Sequence, residues 1–312
     1  MLEIFLKTVP FFGLIGLGYG AGRTHFFPPE ATAYLTKFVF YFALSAMLFR
    51  FASSLSISEI FDLRLALVYL CATALTYGIA MTVAFLRGLD TPTAAIEAQC
   101  AGIGNTGFLG VPMLTVLLGQ AAVGPIMLLL SIDLIVFSSA LVILVVGGRQ
   151  GGGMLQILKT VGLGLVKNPM IVAMGLGLTV SAVQVQLPEV LDEFLLLLGA
   201  AATPGALFAI GASLASKSAE RLEIAVWLSF CKLVLHPGFV FLGAFLIYPT
   251  DPYKGLVAVS AAALPVAGNV YILASHYGVA PQRVSASILI STTASIVTVS
   301  LVIGWMTQLV GL

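Results

Sequence analysis

Two asparagines stand in the middle of long apolar stretches, and residues that weaken a helix surround both of them. Asn105 lies in the sequence GIGNTGFLGVP (102–112), and Asn269 lies in LPVAGNVY (264–271). Glycine and proline interrupt helices, and the first backbone N–H groups of a helix that restarts have no partner within it. Two helix starts of this kind, together with two side-chain amides, are suited to bind an anionic group such as a carboxylate.

The two asparagines are expected to contact a bound ligand directly, and their neighbours are expected to shape its site. The residues expected to line the site are Gly104, Thr106, Gly107, Gly268 and Tyr271. Ser45 and Pro204 are expected to form the facing wall, and Pro112 and Pro265 are expected to hold the helix breaks. Another interpretation stays open, because glycine and proline are frequent in membrane helices and asparagine also bridges helices.

The composition predicts a membrane protein. Of the 312 residues, 60% are hydrophobic and 9% are charged, whereas a soluble domain has about 45–50% apolar and about 25% charged residues. Too few charges are present to cover a water-exposed surface, which excludes a soluble enzyme. A net charge of +1 without a basic cluster excludes a nucleic-acid partner. Cys71, Cys100 and Cys231 form neither a disulfide framework nor a metal site, and no cofactor is expected.

Ten segments are long and apolar enough to cross a bilayer as helices, so the fold class is an all-α polytopic membrane protein. They cover residues 4–22, 34–53, 65–86, 94–118, 123–147, 168–185, 193–215, 224–248, 254–276 and 284–310. Nine Lys and Arg residues lie in the odd-numbered loops, against four in the even-numbered loops and the N-terminus. Because cytoplasmic loops carry the excess of positive charge, both termini are predicted to be non-cytoplasmic.

The sequence repeats itself weakly over its two halves. Gly104-Asn105 matches Gly268-Asn269 at an offset of 164 residues, and four further matches in the same order have offsets of 159 or 160 residues. This predicts a first five-helix repeat over 1–147, a cytoplasmic linker with an interfacial helix over 148–167, and a second repeat over 168–312. Because each half has an odd number of spans, the repeats are inverted, as in many secondary transporters. The broken spans 4 and 9 are predicted to cross.

Ionisable residues inside a span are costly and are functional candidates by default. Asp133 and Glu97 are the candidates for coupling to H⁺ or Na⁺, but Asp133 also fits a pair with Lys232 or a helix cap, and Glu97 also fits an interfacial position. Arg50 is expected to extend towards the membrane surface. For Lys232 and His236, a structural role and, for the lysine, contact with an anion both stay open.

Five motifs resemble the auxin efflux carrier family. They are FYFAL (40–44), GNTGFLGVP (104–112), NP (168–169), AATPGALFAIGASL (201–214) and LPVAGN (264–269). The resemblance implies a fold similar to bile acid:sodium symporters, with a scaffold domain from spans 1, 2, 6 and 7 and a transport domain from spans 3–5 and 8–10. It also implies elevator-like transport of organic anions, such as auxin-like monocarboxylates or malonate-type dicarboxylates. Ser45 departs from the family, which often has proline there.

The sequence therefore predicts a secondary active or facilitated carrier of a small organic anion in the cell membrane, the inner membrane if the source is bacterial. A homodimer is compatible with this prediction. The alternatives are an ion-coupled symporter of another small solute, a channel and a receptor. An intramembrane enzyme is not expected, since the chain has no His-Glu-x-x-His motif, no pair of deep aspartates and no acidic cluster for Mg²⁺.

Overall fold

A computed structural model describes residues 2–55, 61–148, 154–215 and 222–311. These residues are helical and contain no strand beyond a single bridged pair. The helices are α1 (Leu2–Arg23), α2 (Pro29–Ser54), α3 (Leu63–Leu86), α4 (Thr91–Gly102), α5 (Thr106–Leu118), α6 (Gln120–Gly148), α7 (Met154–Lys167), α8 (Pro169–Ala182), α9 (Glu189–Ala215), α10 (Leu222–Ile247), α11 (Pro252–Ala262), α12 (Gly268–Tyr277) and α13 (Pro281–Val310).

The prediction of an all-helical chain is confirmed for the described residues. Six of their helices are long and apolar enough to cross a membrane without a break, namely α2, α3, α6, α9, α10 and α13. The fourth and ninth predicted segments are each two helices, α4 with α5 and α11 with α12.

The glycines at 151–153 in the predicted linker lie outside the described residues, as do Arg149, Lys217 and Arg221. Residues 154–167 of the predicted linker form α7, and α8 follows it at an angle of 67°.

Short polar side chains fix where several helices begin. Asp62 accepts a hydrogen bond from the backbone N–H of the third residue of α3 at 3.1 Å, and Asp90, Asn168 and Asp251 cap α4, α8 and α11 in the same manner. Proline stands in the first turn of α4, α8 and α11, where its missing N–H leaves no bond unmade. These caps define helix ends that the apolar pattern alone leaves uncertain.

The helices pack as two groups. Helices α1, α2, α8 and α9 contact one another extensively, and we call them the four-helix group. Helices α3 to α6 and α10 to α13 form the second set, which we call the crossing group. The two groups meet mainly where α1 lies against α13 and where α9 lies against α5. A buried hydrogen bond between the Thr8 and Ser300 hydroxyls, 2.8 Å long, also joins them.

The ion pairs that Arg50, Lys254 and Glu97 form each stay within one group. Arg50 of α2 binds Asp192 of α9 through two hydrogen bonds of 2.8 and 3.1 Å, inside the four-helix group. Lys254 of α11 binds Asp62 before α3 at 2.7 Å, inside the crossing group. These ion pairs therefore stabilise the packing of helices within each group.

Glycines let α1 and α9 approach until their backbones touch. A Cβ atom added to Gly211 would lie 1.9 Å from the carbonyl oxygen of Ile15, and one added to Gly18 would lie 2.1 Å from that of Phe208. Small residues are the usual means of close helix packing in membranes, since lipid supplies no hydrophobic drive between helices. The four-helix group is therefore built around a contact that no larger residue can enter.

We expect Gly211→Ala to lower the free energy of unfolding by about 1–3 kcal/mol, because its methyl group forces two packed backbones apart. Thermal unfolding of the purified protein in detergent measures the effect. Gly20→Ala is the control, since a Cβ at Gly20 on the same α1 helix has nothing within 4 Å. The close contact is disproved if the two variants unfold at the same temperature.

Candidate functional site

The two helix breaks lie against each other and supply each other's backbone hydrogen bonds. Gly104 and Val266 pair as an antiparallel bridge. The Asn105 N–H donates to the Pro265 carbonyl at 2.8 Å, and the Ala267 N–H donates to the Ile103 carbonyl at 3.1 Å. Because backbone groups at membrane depth need partners within the protein, this exchange makes two facing breaks far more stable than either break alone.

Two helices start at this crossing and two helices end there. α5 begins at Thr106 and α12 begins at Gly268, while α4 and α11 end at Gly102 and Ala262. The first N–H groups of α5 and α12 therefore have no acceptor within their own helices. Since the bridged segments run antiparallel, the two positive helix ends converge on the crossing from different directions.

A small cavity of about 20 Å³ lies at the crossing, enough space for about one water molecule. Four predicted site residues line it, namely Gly104, Asn105, Gly107 and Asn269, and Asp133 lines it as well. The remaining wall is apolar and consists of Phe40, Ile103, Phe108, Leu130, Leu134, Met170 and Ala267. The side-chain oxygen of Asn269 is buried without a hydrogen-bond partner, so the cavity contains an unused polar atom.

The four-helix group contributes Phe40 of α2 and Met170 of α8 to the cavity wall. The Phe40 ring stacks on that of Phe108 in α5, with centroids 6.2 Å apart and planes 11° apart. A Cβ on Gly107 would come within 2.8 Å of the Met170 Cε atom, so this position leaves room for the methionine. Phe40 and Met170 are wall residues that the sequence analysis missed, although Phe40 lies in one of the quoted motifs.

The predicted wall residues Ser45 and Pro204 do not line the cavity in this structure. Ser45 donates its hydroxyl hydrogen bond to the Phe40 carbonyl of its own helix at 3.1 Å. Pro204 is exposed on α9. The sequence repeat identifies equivalent positions in the two halves. It does not specify how each helix is rotated about its axis, and this rotation decides which side chains face the cavity.

The other predicted residues lie around the crossing at different depths. Gly268 is the first residue of α12, and Tyr271, one turn further, is 36% exposed and outside the cavity wall. Thr106 is fully buried, with its hydroxyl unbonded and beside Asp133. Pro265 stands in its break and accepts the Asn105 bond. Pro112 lies inside α5, well after the other break, so it does not hold that break open.

Asp133 is a buried carboxylate on α6 whose hydrogen bonds come from α3. Its exposed fraction is 2%, and the Tyr69 hydroxyl lies 3.1 Å from each of its two oxygens. Lys232 of α10 interacts with it electrostatically, although no ion pair within 4.0 Å joins these two described residues. Asp133 therefore places an acidic side chain on the wall of a cavity whose other lining residues are uncharged.

Lys232 lies on the other side of the crossing. Its ammonium group is fully buried and donates to the Ala262 carbonyl at the end of α11, and it lies 3.0 Å from Nδ1 of His236. The His236 Nε2 atom lies 2.9 Å from the Thr73 hydroxyl. Of the two interpretations left open for Lys232, these contacts favour a structural role at the crossing over direct contact with a ligand.

Several residues of the site lie in π-helical turns. Phe40 lies in the turn Val39–Ala43, Asp133 begins Asp133–Phe137, and Lys232 lies in Cys231–Leu235. The first turn of α5, Thr106–Gly110, is also π-helical. Such turns are rare and occur frequently at functional sites.

Glu97 is fully buried and accepts hydrogen bonds from two arginines, Arg87 at the end of α3 and Arg283 at the start of α13. This pairing favours a structural role in the crossing group over proton coupling. Arg50, expected to extend towards the membrane surface, is partly exposed and paired with Asp192.

The comparison with known proteins decides the class of the protein. Residues 3–303 match the family described as "Membrane transport protein". The chain belongs to this family. It is a transporter and not an enzyme, it crosses the membrane several times, and the resemblance to auxin efflux carriers is confirmed.

Two relatives match almost the whole chain. It is 32% identical over 308 residues to the "Putative malonate transporter" of Rhizobium meliloti (strain 1021), covering 96% of this chain and 95% of the relative. It is 27% identical over 307 residues to the "Uncharacterized transporter YfdV" of Escherichia coli (strain K12), covering 96% and 97%.

The Glu97 ion pairs lead to a test of their structural role. We expect Glu97→Gln to lower the free energy of unfolding by about 3 kcal/mol, because two guanidinium groups lose their buried counter-charge. Chemical or thermal unfolding in detergent measures the loss. Glu223→Gln is the control, since Glu223 is exposed on α10. Equal stability of both variants would contradict a structural role for the pair.

Proposed function

We propose that this transporter is a secondary carrier of a small organic anion, which binds where the two helix breaks cross. The observation that carries the proposal is the convergence of two helix starts on a cavity lined by Asn105 and Asn269. The unpartnered amide atom of Asn269 supports it, since a side-chain amide rotates to present its NH₂ group to an anion. Gly104, Thr106, Gly107, Gly268 and Tyr271 belong to this proposed site.

A short carboxylate is the proposed substrate. Helix N-termini bind anions without a full positive charge, which suits a carboxylate group. The apolar wall of Phe40, Phe108 and Met170 suits a hydrocarbon body. The name of the Rhizobium meliloti relative makes malonate the first dicarboxylate to test, and an auxin-like monocarboxylate is the other class.

The proposed mechanism is an elevator-like movement of the crossing group along the four-helix group, with ten spans arranged as two inverted repeats. In this proposal the four-helix group is the scaffold and the crossing group is the transport domain. The ion pairs support the division, because those of Arg50, Lys254 and Glu97 each stay within one group. The cavity also supports it, since it is too small for malonate and both groups contribute to its wall. Sliding one group along the other would enlarge it.

Proton coupling through Asp133 is the second part of the proposal. This carboxylate lines the same cavity as the two asparagines, so its charge opposes that of an anion bound there. Protonation of Asp133 removes the repulsion, and anion binding in turn favours protonation. Proton and anion would then move together.

The proposed site predicts a loss of transport on truncating its central asparagine. We expect Asn105→Ala to reduce saturable uptake about 10- to 100-fold, since a hydrogen bond to a charged group contributes about 1.5–3 kcal/mol. Uptake and counterflow of labelled malonate and a panel of monocarboxylates in proteoliposomes measure the effect. Gln120→Ala removes an exposed amide at the start of α6 and should transport normally. Normal affinity in Asn105→Ala would rule out the site.

Proton coupling predicts a change in the pH profile. Wild-type uptake should rise as the pH falls, because a protonated Asp133 no longer repels the anion. Asp133→Asn is neutral at every pH, so its uptake should follow only the ionisation of the substrate itself. Both profiles are measured with the same substrate, and Glu223→Gln should keep the wild-type profile. A profile of Asp133→Asn that matches wild type would exclude Asp133 from coupling.

A further inference from the structure

Lys232 is a lysine at membrane depth whose amino group contacts a backbone carbonyl and a histidine. Its side chain lies in a π-helical turn of α10 and is fully buried. A charge in such a place is costly and needs specific partners. The partners of this ammonium group are the Ala262 carbonyl and His236, with Asp133 as the carboxylate that interacts with it electrostatically.

The Ala262 carbonyl is the end of a half-helix. α11 stops at Ala262, so the last carbonyls of this helix carry the partial negative charge of its C-terminus. In carriers with broken helices, carbonyls at half-helix ends are the groups that coordinate a coupling Na⁺. Here the amino group of Lys232 donates to one of these carbonyls, that of Ala262.

Gly104 shows how closely the lysine approaches the crossing. A Cβ atom at Gly104 would lie 3.1 Å from Cε and 3.2 Å from Nζ of Lys232, and 3.4 Å from the Ala261 carbonyl oxygen. The ammonium group therefore lies directly against the bridged segment that lines the cavity. The absence of a side chain at Gly104 leaves the space for it.

The histidine arrangement fits a protonated lysine. A charged ammonium group donates to Nδ1 of His236, which leaves the ring neutral with its proton on Nε2, facing the Thr73 hydroxyl. This tautomer follows from the hydrogen-bond network. The charges facing Lys232 are then Asp133 from α6 and the C-terminal end of α11, and the buried pair of side chains is neutral overall.

We infer that Lys232 is a built-in cation that takes the place of a coupling sodium ion at the crossing. It lies at the end of α11 and balances the charge of Asp133 whenever that carboxylate is ionised, and the carrier therefore neither binds nor needs Na⁺. The part of this inference that concerns transport rests on the proposed function. The part that concerns the cation position does not, because it is measurable without a substrate.

The first experiment measures thermal unfolding of the purified protein in NaCl and in choline chloride at equal ionic strength. Wild type should unfold at the same temperature in both salts. Lys232→Ala opens the position and should be stabilised by Na⁺, by about 2–4 °C when Na⁺ is at about ten times its dissociation constant. Lys254→Ala is the matched control, since Lys254 lies at the other end of α11. Its unfolding temperature should be the same in both salts. Stabilisation of wild type by Na⁺, or a Lys232→Ala variant indifferent to Na⁺, overturns the inference.

A second variant keeps the test decisive if Lys232→Ala does not fold. Combining Lys232→Met with Asp133→Asn removes both charges, and the double variant should unfold at a higher temperature than Lys232→Met alone, because no unpaired charge stays buried. A double variant less stable than that single variant would show that the lysine does not compensate Asp133.

The transport experiment separates this inference from the proposed function. Wild-type uptake should be equal in Na⁺ and choline media for whichever carboxylate is transported. Uptake that requires Na⁺ overturns the inference and leaves the carrier function intact. No uptake of any carboxylate overturns the proposed substrate class, and the unfolding measurements still decide the role of Lys232.

Discussion

Backbone groups without hydrogen-bond partners in the middle of a membrane are the constraint on which this structure depends. Each break, taken alone, would leave N–H and C=O groups unpaired in an apolar environment at a cost of several kcal/mol per group. The antiparallel exchange between Ile103–Asn105 and Pro265–Ala267 pairs these groups and fixes where four half-helices meet. The free helix starts, the cavity and the buried charges all take their positions from this one contact.

The free-energy cost of burying the charges is lowered because each of them has a partner of opposite sign at the crossing. Lys232 lies at the negative end of α11, and Asp133 lies near the positive start of α5, where the Thr106 hydroxyl is beside it. Tyr69 and His236 complete their hydrogen bonds and lie against each other, with ring centroids 5.5 Å apart. Two opposite charges that would be expensive separately therefore stabilise the junction of broken helices together.

The sequence predicted the helices and both breaks, because apolar length, glycine and proline act locally. It placed Asn105 and Asn269 on the cavity for the same reason, since the repeat marked them as equivalent. It missed Phe40 and Met170, and it placed Ser45 and Pro204 on the wall, because helix rotation depends on packing and on π-helical turns that no local pattern specifies. It assigned a helix break to Pro112, although the missing N–H of that proline is accommodated after a π-helical turn.

The π-helical turns have a consequence for how such a site arises and varies. A π-helical turn holds one residue more than an α-helical turn, so a single inserted codon creates it and a single deleted codon removes it. Because the turn itself absorbs the extra residue, the side chains that follow keep their orientation around the helix axis, and only the side chains within the turn change place. In this chain Phe40, Asp133 and Lys232 all occupy such turns. One-residue insertions and deletions, rather than substitutions, are therefore the shortest route by which a relative could exchange the wall or the charges of its site while keeping every helix.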